Sequence, residues 1–150
     1  MKSIFVLSIL CICLSAFANE PKVGDQAVLN GKYQGEVIAL KLELTAYDAD
    51  ANSYTQTLTI SNNGQTSSQS ETVKNEDLSS SETLQYVVDN CSQFDGTPET
   101  ITVPAGTFAT CKMNEDDDTV VNIGVVPFGV VKVIAKDGSY VLVSYKYGQK

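Results

Sequence analysis

The sequence contains no histidine, no tryptophan and, since all ten of its cationic residues are lysines, no arginine. Without histidine, the Ser-His and Cys-His pairs that activate catalytic nucleophiles are excluded. Imidazole ligands for zinc or iron are missing as well. No Gly-rich phosphate-binding motif and no GxSxG motif occurs. The sequence therefore indicates a protein that is not an enzyme and that has no cofactor and no metal site.

Carboxylates are the one type of catalytic side chain that is abundant, since the sequence has 18 Asp and Glu residues. Two of them would suffice for glycoside hydrolysis. No pair stands out by its spacing, and the usual sugar-stacking residue, tryptophan, is replaced at best by seven tyrosines. A carboxylate-based hydrolase stays open as an alternative that nothing in the sequence favours.

Cations are scarce, and the formal net charge is −8. Nucleic-acid binding requires clustered cations that displace counterions from phosphates, so this function is excluded. The scattered lysines equally exclude a basic patch for anionic lipid headgroups. An acidic surface of this kind mainly keeps a protein in solution.

Residues 1–18 have the pattern of a secretory signal peptide. Lys2 supplies the positive charge, residues 4–14 the apolar segment, and Ala16-Phe17-Ala18 the cleavage site. The apolar segment is shorter than the roughly 20 residues that span a bilayer. An uncleaved N-terminal anchor is the alternative. We therefore expect a periplasmic or secreted protein whose mature part, residues 19–150, is a single β-rich domain without a transmembrane segment.

Four cysteines are present, two of them inside the predicted leader. Cys11 and Cys13 each follow a large aliphatic residue rather than the small residue of a lipoprotein cleavage site, so acylation is excluded. Cys91 and Cys111 remain, and an exported compartment is oxidising. A reactive thiol is the alternative, but it would need a cationic neighbour, and only Lys112 is close in sequence. We predict a structural disulfide between Cys91 and Cys111.

Apolar and polar residues alternate over most of the chain, which predicts antiparallel strands with one buried face. The alternation is clearest at residues 33–47 and 54–60. Turn pairs separate the segments: Asn30-Gly31, Asn63-Gly64, Asp95-Gly96 and Asp137-Gly138. The predicted strands are residues 23–29, 33–47, 54–60, 65–73, 100–103, 107–113, 119–123, 130–135 and 140–147.

Three polar segments interrupt the strands. Residues 48–52 resemble the start of a calcium loop, but Ser53 and Thr59 occupy the positions of the required Gly and Glu, which favours a hairpin turn. Residues 115–118 are four consecutive acids, which we interpret as a solvated turn. Residues 61–81 are rich in Ser, Thr, Asn and Gln, and the sequence leaves open whether they form a sheet edge or a mobile flap.

One segment has helical rather than strand periodicity. Ser79 and Glu82 have the spacing of a capping box, which begins a helix. Behind them, apolar residues recur at the spacing of one helical face: Leu84, Val87, Val88 and Cys91. The two adjacent valines leave a strand as the alternative. We predict one short helix that lies against the sheet.

Two Pro- and Gly-containing corners let the predicted sheet bend around this helix. Pro104-Ala105-Gly106 and Pro127-Phe128-Gly129 each combine a fixed φ with a glycine that tolerates a positive one. The residues of these corners and their apolar neighbours have a structural role in this interpretation: Val103, Pro104, Gly106, Phe108, Pro127, Phe128 and Gly129.

The segments TVPAGTFATCK, at residues 102–112, and VPFGVVK, at residues 126–132, resemble motifs of a group of uncharacterised secreted bacterial proteins. That group is similar to the half-barrel superfamily of the periplasmic lipoprotein carrier and its outer-membrane receptor. The resemblance covers roughly the last third of the chain. It implies a mainly β (α+β) fold, in which a strongly curved antiparallel sheet or half-barrel packs one short helix on its concave face and leaves an apolar cavity.

Two functional hypotheses follow. If the helix fills only part of the concavity, the protein is an exported non-enzymatic module that binds an apolar ligand such as a lipid or acyl chain. If the core is closed, it is a secreted or envelope interaction module whose protein partner meets a strand edge or the polar residues 61–81.

Overall fold

The computed structural model describes residues 19–149, so the predicted signal peptide lies outside the described residues. This part of the chain contains nine strands, one α-helix and two 3₁₀ turns, at Asn75–Asp77 and Cys91–Phe94. The elements are β1 (Gln26–Tyr33), β2 (Glu36–Asp48), β3 (Ser53–Asn62), β4 (Gln65–Lys74), α1 (Ser81–Asp89), β5 (Thr97–Val103), β6 (Gly106–Asn114), β7 (Val120–Ile123), β8 (Val130–Ala135) and β9 (Gly138–Lys146).

All nine strands form one open antiparallel sheet in the order β4-β3-β2-β1-β9-β8-β7-β6-β5. The sheet is strongly curved: the turn between β5 and β6 comes back to β9, where the Ala105 amide donates to the Leu142 carbonyl at 3.2 Å. Helix α1 packs against β6 and β7. The predicted fold class, a curved antiparallel sheet with one short helix, is confirmed. Within residues 19–149 no helix has the length and apolar character that crossing a membrane requires.

The core lies inside the curve of the open sheet, and α1 packs against β6 and β7. Its buried apolar residues come from strands far apart in sequence, and part of it comes from the loop after β7, which crosses this interior. The central cluster consists of Ala27, Leu29, Val103, Val126, Val131 and Leu142. Burial of these side chains is the main source of stability for the strands that contribute to the cluster.

The predicted turn at Asn30-Gly31 is wrong. Both residues lie inside β1, and the chain turns instead at Gln34-Gly35, where both residues have positive φ. Gly31 serves a different purpose there: a Cβ atom at this position would overlap the carbonyl oxygen of Ser139 in the neighbouring β9. The glycine is required by a close approach of two backbones and not by a turn.

The helix is present, but its predicted cap is wrong by one residue. Ser80, and not Ser79, is the N-cap, and its hydroxyl accepts a hydrogen bond from the Thr83 amide at 3.2 Å. The predicted apolar face is correct in direction, since Leu84 and Cys91 are buried and the two valines are half-buried. Leu84 packs against Gly129 in the second Pro-Gly corner.

The polar segments adopt ordinary turns and strands. At residues 48–52 the Asp48 carboxylate accepts from the amides of Asp50 and Ala51, which closes the hairpin predicted there. Asn63 and Gly64, both with positive φ, form the next hairpin turn as predicted. Residues 65–74 are the edge strand β4, which decides between the two alternatives for the polar segment in favour of an ordered sheet edge.

Candidate functional site

No group of carboxylates or thiols in the described region is arranged to hold a metal ion. The acidic residues 115–118 form a solvated turn, in which the Asp116 carboxylate accepts from the Asp118 amide at 3.0 Å. These hydrogen bonds, from Asp118 and then Thr119, hold the pKa of Asp116 below its usual value. They stabilise the turn and leave Asp116 as an ordinary ionised surface group.

A small, partly open space lies at the end of the core beside α1. Its volume is about 30 Å³, and its walls include Leu44, Leu84, Phe128 and Tyr147. Sites for drug-sized ligands range from about 300 to 1,000 Å³. The space is therefore comparable to one water molecule and cannot enclose an acyl chain.

A buried carboxylate closes this end of the core. Asp25 is 6% exposed, and it accepts hydrogen bonds from the Gly148 amide at 2.7 Å and from the Lys22 amide at 3.0 Å. Tyr54 continues the arrangement, since its hydroxyl donates to the Pro21 carbonyl at 2.7 Å. These contacts fix both ends of the described chain to the sheet, and they give Asp25 a structural role.

Two tyrosines near this end titrate above their ordinary value of 10.0. Burial raises the pKa of Tyr54, and the charges of Tyr47 and Asp25 add to the effect. Burial likewise raises the pKa of Tyr147, again with contributions from Tyr145 and Asp25. Both phenols stay neutral at physiological pH, and they donate hydrogen bonds to backbone carbonyls.

The predicted structural residues lie in two corners that meet the core. Val103 and Pro127 are buried, Phe108 and Phe128 are half-buried against the core cluster, and Pro104 is exposed in the β5–β6 turn. The corner glycines both have positive φ, 139° at Gly106 and 74° at Gly129. The structure also contains the predicted disulfide between Cys91 and Cys111, which joins the 3₁₀ turn after α1 to β6. Gly96 packs directly on this bond.

Outside the core, the β2–β3–β4 side of the sheet presents an apolar strip on the face continuous with Leu44. Register pairs Leu40 with Ile60 and Leu42 with Leu58, and these four half-buried residues are the apolar strip. Two open hollows of about 260 and 510 Å³ lie along it, and polar side chains of β3 and β4 form the rest of their walls. Both hollows are open to solvent.

The opposite face of the same strands is covered by hydroxyl groups that bond to one another across the sheet. Thr45, Thr57 and Ser70 form one row through β2, β3 and β4, with Oγ–Oγ distances of 3.3 and 2.8 Å. Thr59 and Ser68 form a second row at 3.0 Å, and Ser61 and Thr66 a third at 3.2 Å. We call these three sets the hydroxyl rows. Each row ends at β4.

Beyond the hydroxyl rows, β4 has an unpaired edge. In the part of the chain that is described, β4 pairs only with β3, and its residues 65–72 are all exposed. We call the outward side of residues 65–74 the β4 edge. The sequence indicated either a sheet edge or a flap for these residues. It did not distinguish the two, because a strand that is polar on both faces has no apolar period.

Comparison with known proteins gives no family. No protein-family model matches the chain, and no curated protein matches it in sequence. One solved structure is similar in outline: a crystal structure of a protein from Bacteroides fragilis that is predicted to be exported and that has a YmcC-like fold. The match covers 87% of this chain and 99% of that one, with a TM-score of 0.48 and 12% identity. The resemblance to the lipoprotein-carrier superfamily therefore stays a prediction.

Proposed function

We propose that this chain is an exported, non-enzymatic interaction module, periplasmic or secreted, that binds another protein through its surface. The space of about 30 Å³ beside α1 carries this proposal, because it is too small for a ligand and leaves binding to the outer surface of the molecule. The leader-like residues 1–18 and the Cys91–Cys111 bond support export into an oxidising compartment. The missing histidine supports a role without catalysis.

An apolar ligand such as a lipid or acyl chain is the second candidate. The apolar strip of Leu40, Leu42, Leu58 and Ile60 is the observation that favours it, since a chain lying in the open hollows would cover these side chains. Such a ligand would remain partly in water, and a ligand that binds in this way gains less from burial than one in a closed cavity.

Native mass spectrometry of the protein purified from the cell that produces it separates the two candidates. The interaction module predicts a reproducible protein partner in a complex of fixed stoichiometry and no added lipid mass. A co-purifying lipid, together with saturable binding of a fluorescent fatty acid, would favour the second candidate instead. If neither a partner nor a lipid is found and the protein turns over a glycan, both proposals are wrong.

A further inference from the structure

The backbone geometry of the β3–β4 hairpin determines which groups of β4 point outward. The two-residue turn at Asn63-Gly64 has positive φ at both positions, and Asn62 pairs with Gln65 across it. In such a hairpin the pair that flanks the turn exchanges both backbone hydrogen bonds, and every second pair repeats this. The odd-numbered residues of β4 therefore bond to β3. The even-numbered residues, Thr66, Ser68, Ser70, Thr72 and Lys74, direct their N–H and C=O groups to the open edge.

The β4 edge lacks the features with which sheet proteins protect an exposed edge. Such edges are normally short, or they carry proline, bulges or lysines that prevent another strand from pairing. β4 is ten residues long, has no proline, and pairs with β3 in an unbroken register. Its charged residues, Glu71 and Lys74, both lie in its last four positions. Residues 65–70 thus offer a regular, uncharged pairing surface.

The opposite edge of the sheet shows the contrast. β5 has seven residues, with proline at its second position. One end of it follows Gly96, which is packed on the disulfide, and the other end enters the turn whose Ala105 amide bonds to Leu142. Ile101 and Val103 pack against the core. Of the two edges, β4 is the longer, and it has no proline.

The hydroxyl rows indicate which side chains an added strand would carry. The rows cross two or three strands and stop at Ser70, Ser68 and Thr66. A neighbouring strand with serine or threonine at alternate positions would continue each row by one more hydrogen bond. A strand with large apolar groups on this face would cover the row ends without offering them a further hydrogen bond.

The charge around the β4 edge indicates the sign of the partner. Among the described residues the Glu71 carboxylate has no ion pair, and its side-chain partner is the Gln56 amide at 3.2 Å. The whole chain has a formal charge of −8. A second copy would bring the same charge and be repelled, whereas a segment with lysine or arginine beside Glu71 would be attracted.

We propose that the β4 edge binds an extended segment of another protein as a tenth strand of the sheet. The segment has serine or threonine at alternate positions facing the hydroxyl rows, and a lysine or arginine beside Glu71. Backbone hydrogen bonds to the even-numbered residues of β4 supply the recognition, as in other cases of strand addition. This inference rests on the proposed function, because it names the surface through which the interaction module binds its partner.

The test uses the purified protein and a fluorescent synthetic peptide of ten residues that alternates threonine with valine and carries two lysines. We expect saturable binding by anisotropy and slower amide hydrogen exchange at Thr66, Ser68 and Ser70. Ser68→Pro removes one outward N–H without removing a bond to β3, because proline is tolerated where the N–H of an edge strand faces solvent. We expect this variant to unfold at the same midpoint as Ser68→Ala, which loses the same hydroxyl contact with Thr59, and to bind the peptide about tenfold more weakly than Ser68→Ala does.

Two controls test whether binding depends on backbone hydrogen bonds at the β4 edge. Ser68→Ala keeps the backbone donor and removes only the hydroxyl that would extend one row, so it should lose less affinity for the peptide than Ser68→Pro does. A peptide N-methylated at alternate residues should not bind. The proposal is overturned if the peptide fails to bind, if Ser68→Pro binds it equally, or if the protein instead forms dimers that Ser68→Pro abolishes. A protein partner found by native mass spectrometry that still binds Ser68→Pro would overturn the β4 edge alone and leave the proposed function intact.

Discussion

The two hairpins at the ends of the sheet, β3–β4 and β5–β6, have the same topology and two-residue turns, but they are held in different ways. The β5–β6 hairpin is fixed by the Cys91–Cys111 bond, by the Ala105–Leu142 hydrogen bond and by Val103 in the core. The β3–β4 hairpin has its ladder, the hydroxyl rows and a half-buried apolar strip. One hairpin is thus part of the core, and the other is a surface supported from one side only.

This difference predicts different costs for the same kind of substitution. Leu142 is 0% exposed, and Leu142→Ala should lower the free energy of unfolding by about 3 kcal/mol because it removes a side chain from the centre of the core. Leu58→Ala, in the half-buried apolar strip, should cost about 1 kcal/mol. Urea denaturation followed by circular dichroism measures both. Equal costs would show that the apolar strip is as well packed as the core.

Removal of the disulfide tests the β5–β6 hairpin directly. The two cysteines are 20 residues apart, and closing a loop of that length contributes about 3 kcal/mol. Cys91→Ala together with Cys111→Ala should lower the urea midpoint accordingly. Hydrogen exchange should accelerate in α1, β5 and β6 at low urea, while β3 and β4 change little. Faster hydrogen exchange mainly in β3 and β4 would contradict the conclusion that the disulfide holds the β5–β6 hairpin.

The turn of the β3–β4 hairpin offers a smaller and more local test. Gly64 has φ +80°, and no atom lies within 4 Å of the place that a Cβ would occupy, so Gly64→Ala introduces only backbone strain. The expected cost is about 1 kcal/mol. Because this hairpin is not part of the core, faster amide exchange should be confined to β3 and β4. A cooperative loss of the whole fold at the same urea concentration would instead show that the two hairpins unfold as one unit.

The smallest expected effect is a loss of stability at alkaline pH that is caused by Tyr54, the residue of β3 whose hydroxyl donates to the Pro21 carbonyl. The pKa of Tyr54 is raised by burial in the folded state, so the folded protein holds this proton more tightly than the unfolded chain. The stability that the neutral phenol provides is complete below pH 10.0, its ordinary pKa, and is lost as the pH rises through the higher folded value. Urea midpoints between pH 8 and pH 11 should fall less steeply in Tyr54→Phe than in the unaltered protein.

Much of the fold was predictable because alternating burial leaves a period in the sequence. The long strand β2 and its neighbour β3 were found from the positions of Leu42 and Leu58, and the helix from Leu84 and Cys91. The disulfide followed from the count of cysteines and the compartment. These features depend on local pattern and composition, which can be read directly from the sequence.

The errors arose where a distant part of the chain decides the local structure. Asn30-Gly31 has the composition of a hairpin turn, but Gly31 is present because β9 passes too close for a side chain. The candidate site was predicted only as a strand edge or the polar residues 61–81, for a related reason. A free edge such as β4 depends on which strand lies at the end of the sheet, and the order of strands is a property of long-range pairing.

The contacts of Asp25 have a mechanical consequence. β1 and β9 are antiparallel neighbours, with Gln26 opposite Lys146, and the Asp25 carboxylate holds the adjoining Lys22 and Gly148 amides together. A force applied to the two ends of the described domain would therefore open the β1–β9 ladder one hydrogen bond at a time, in the weak unzipping direction. Asp25 ties the two ends to each other, so tension between them acts directly on its hydrogen bonds to the Lys22 and Gly148 amides.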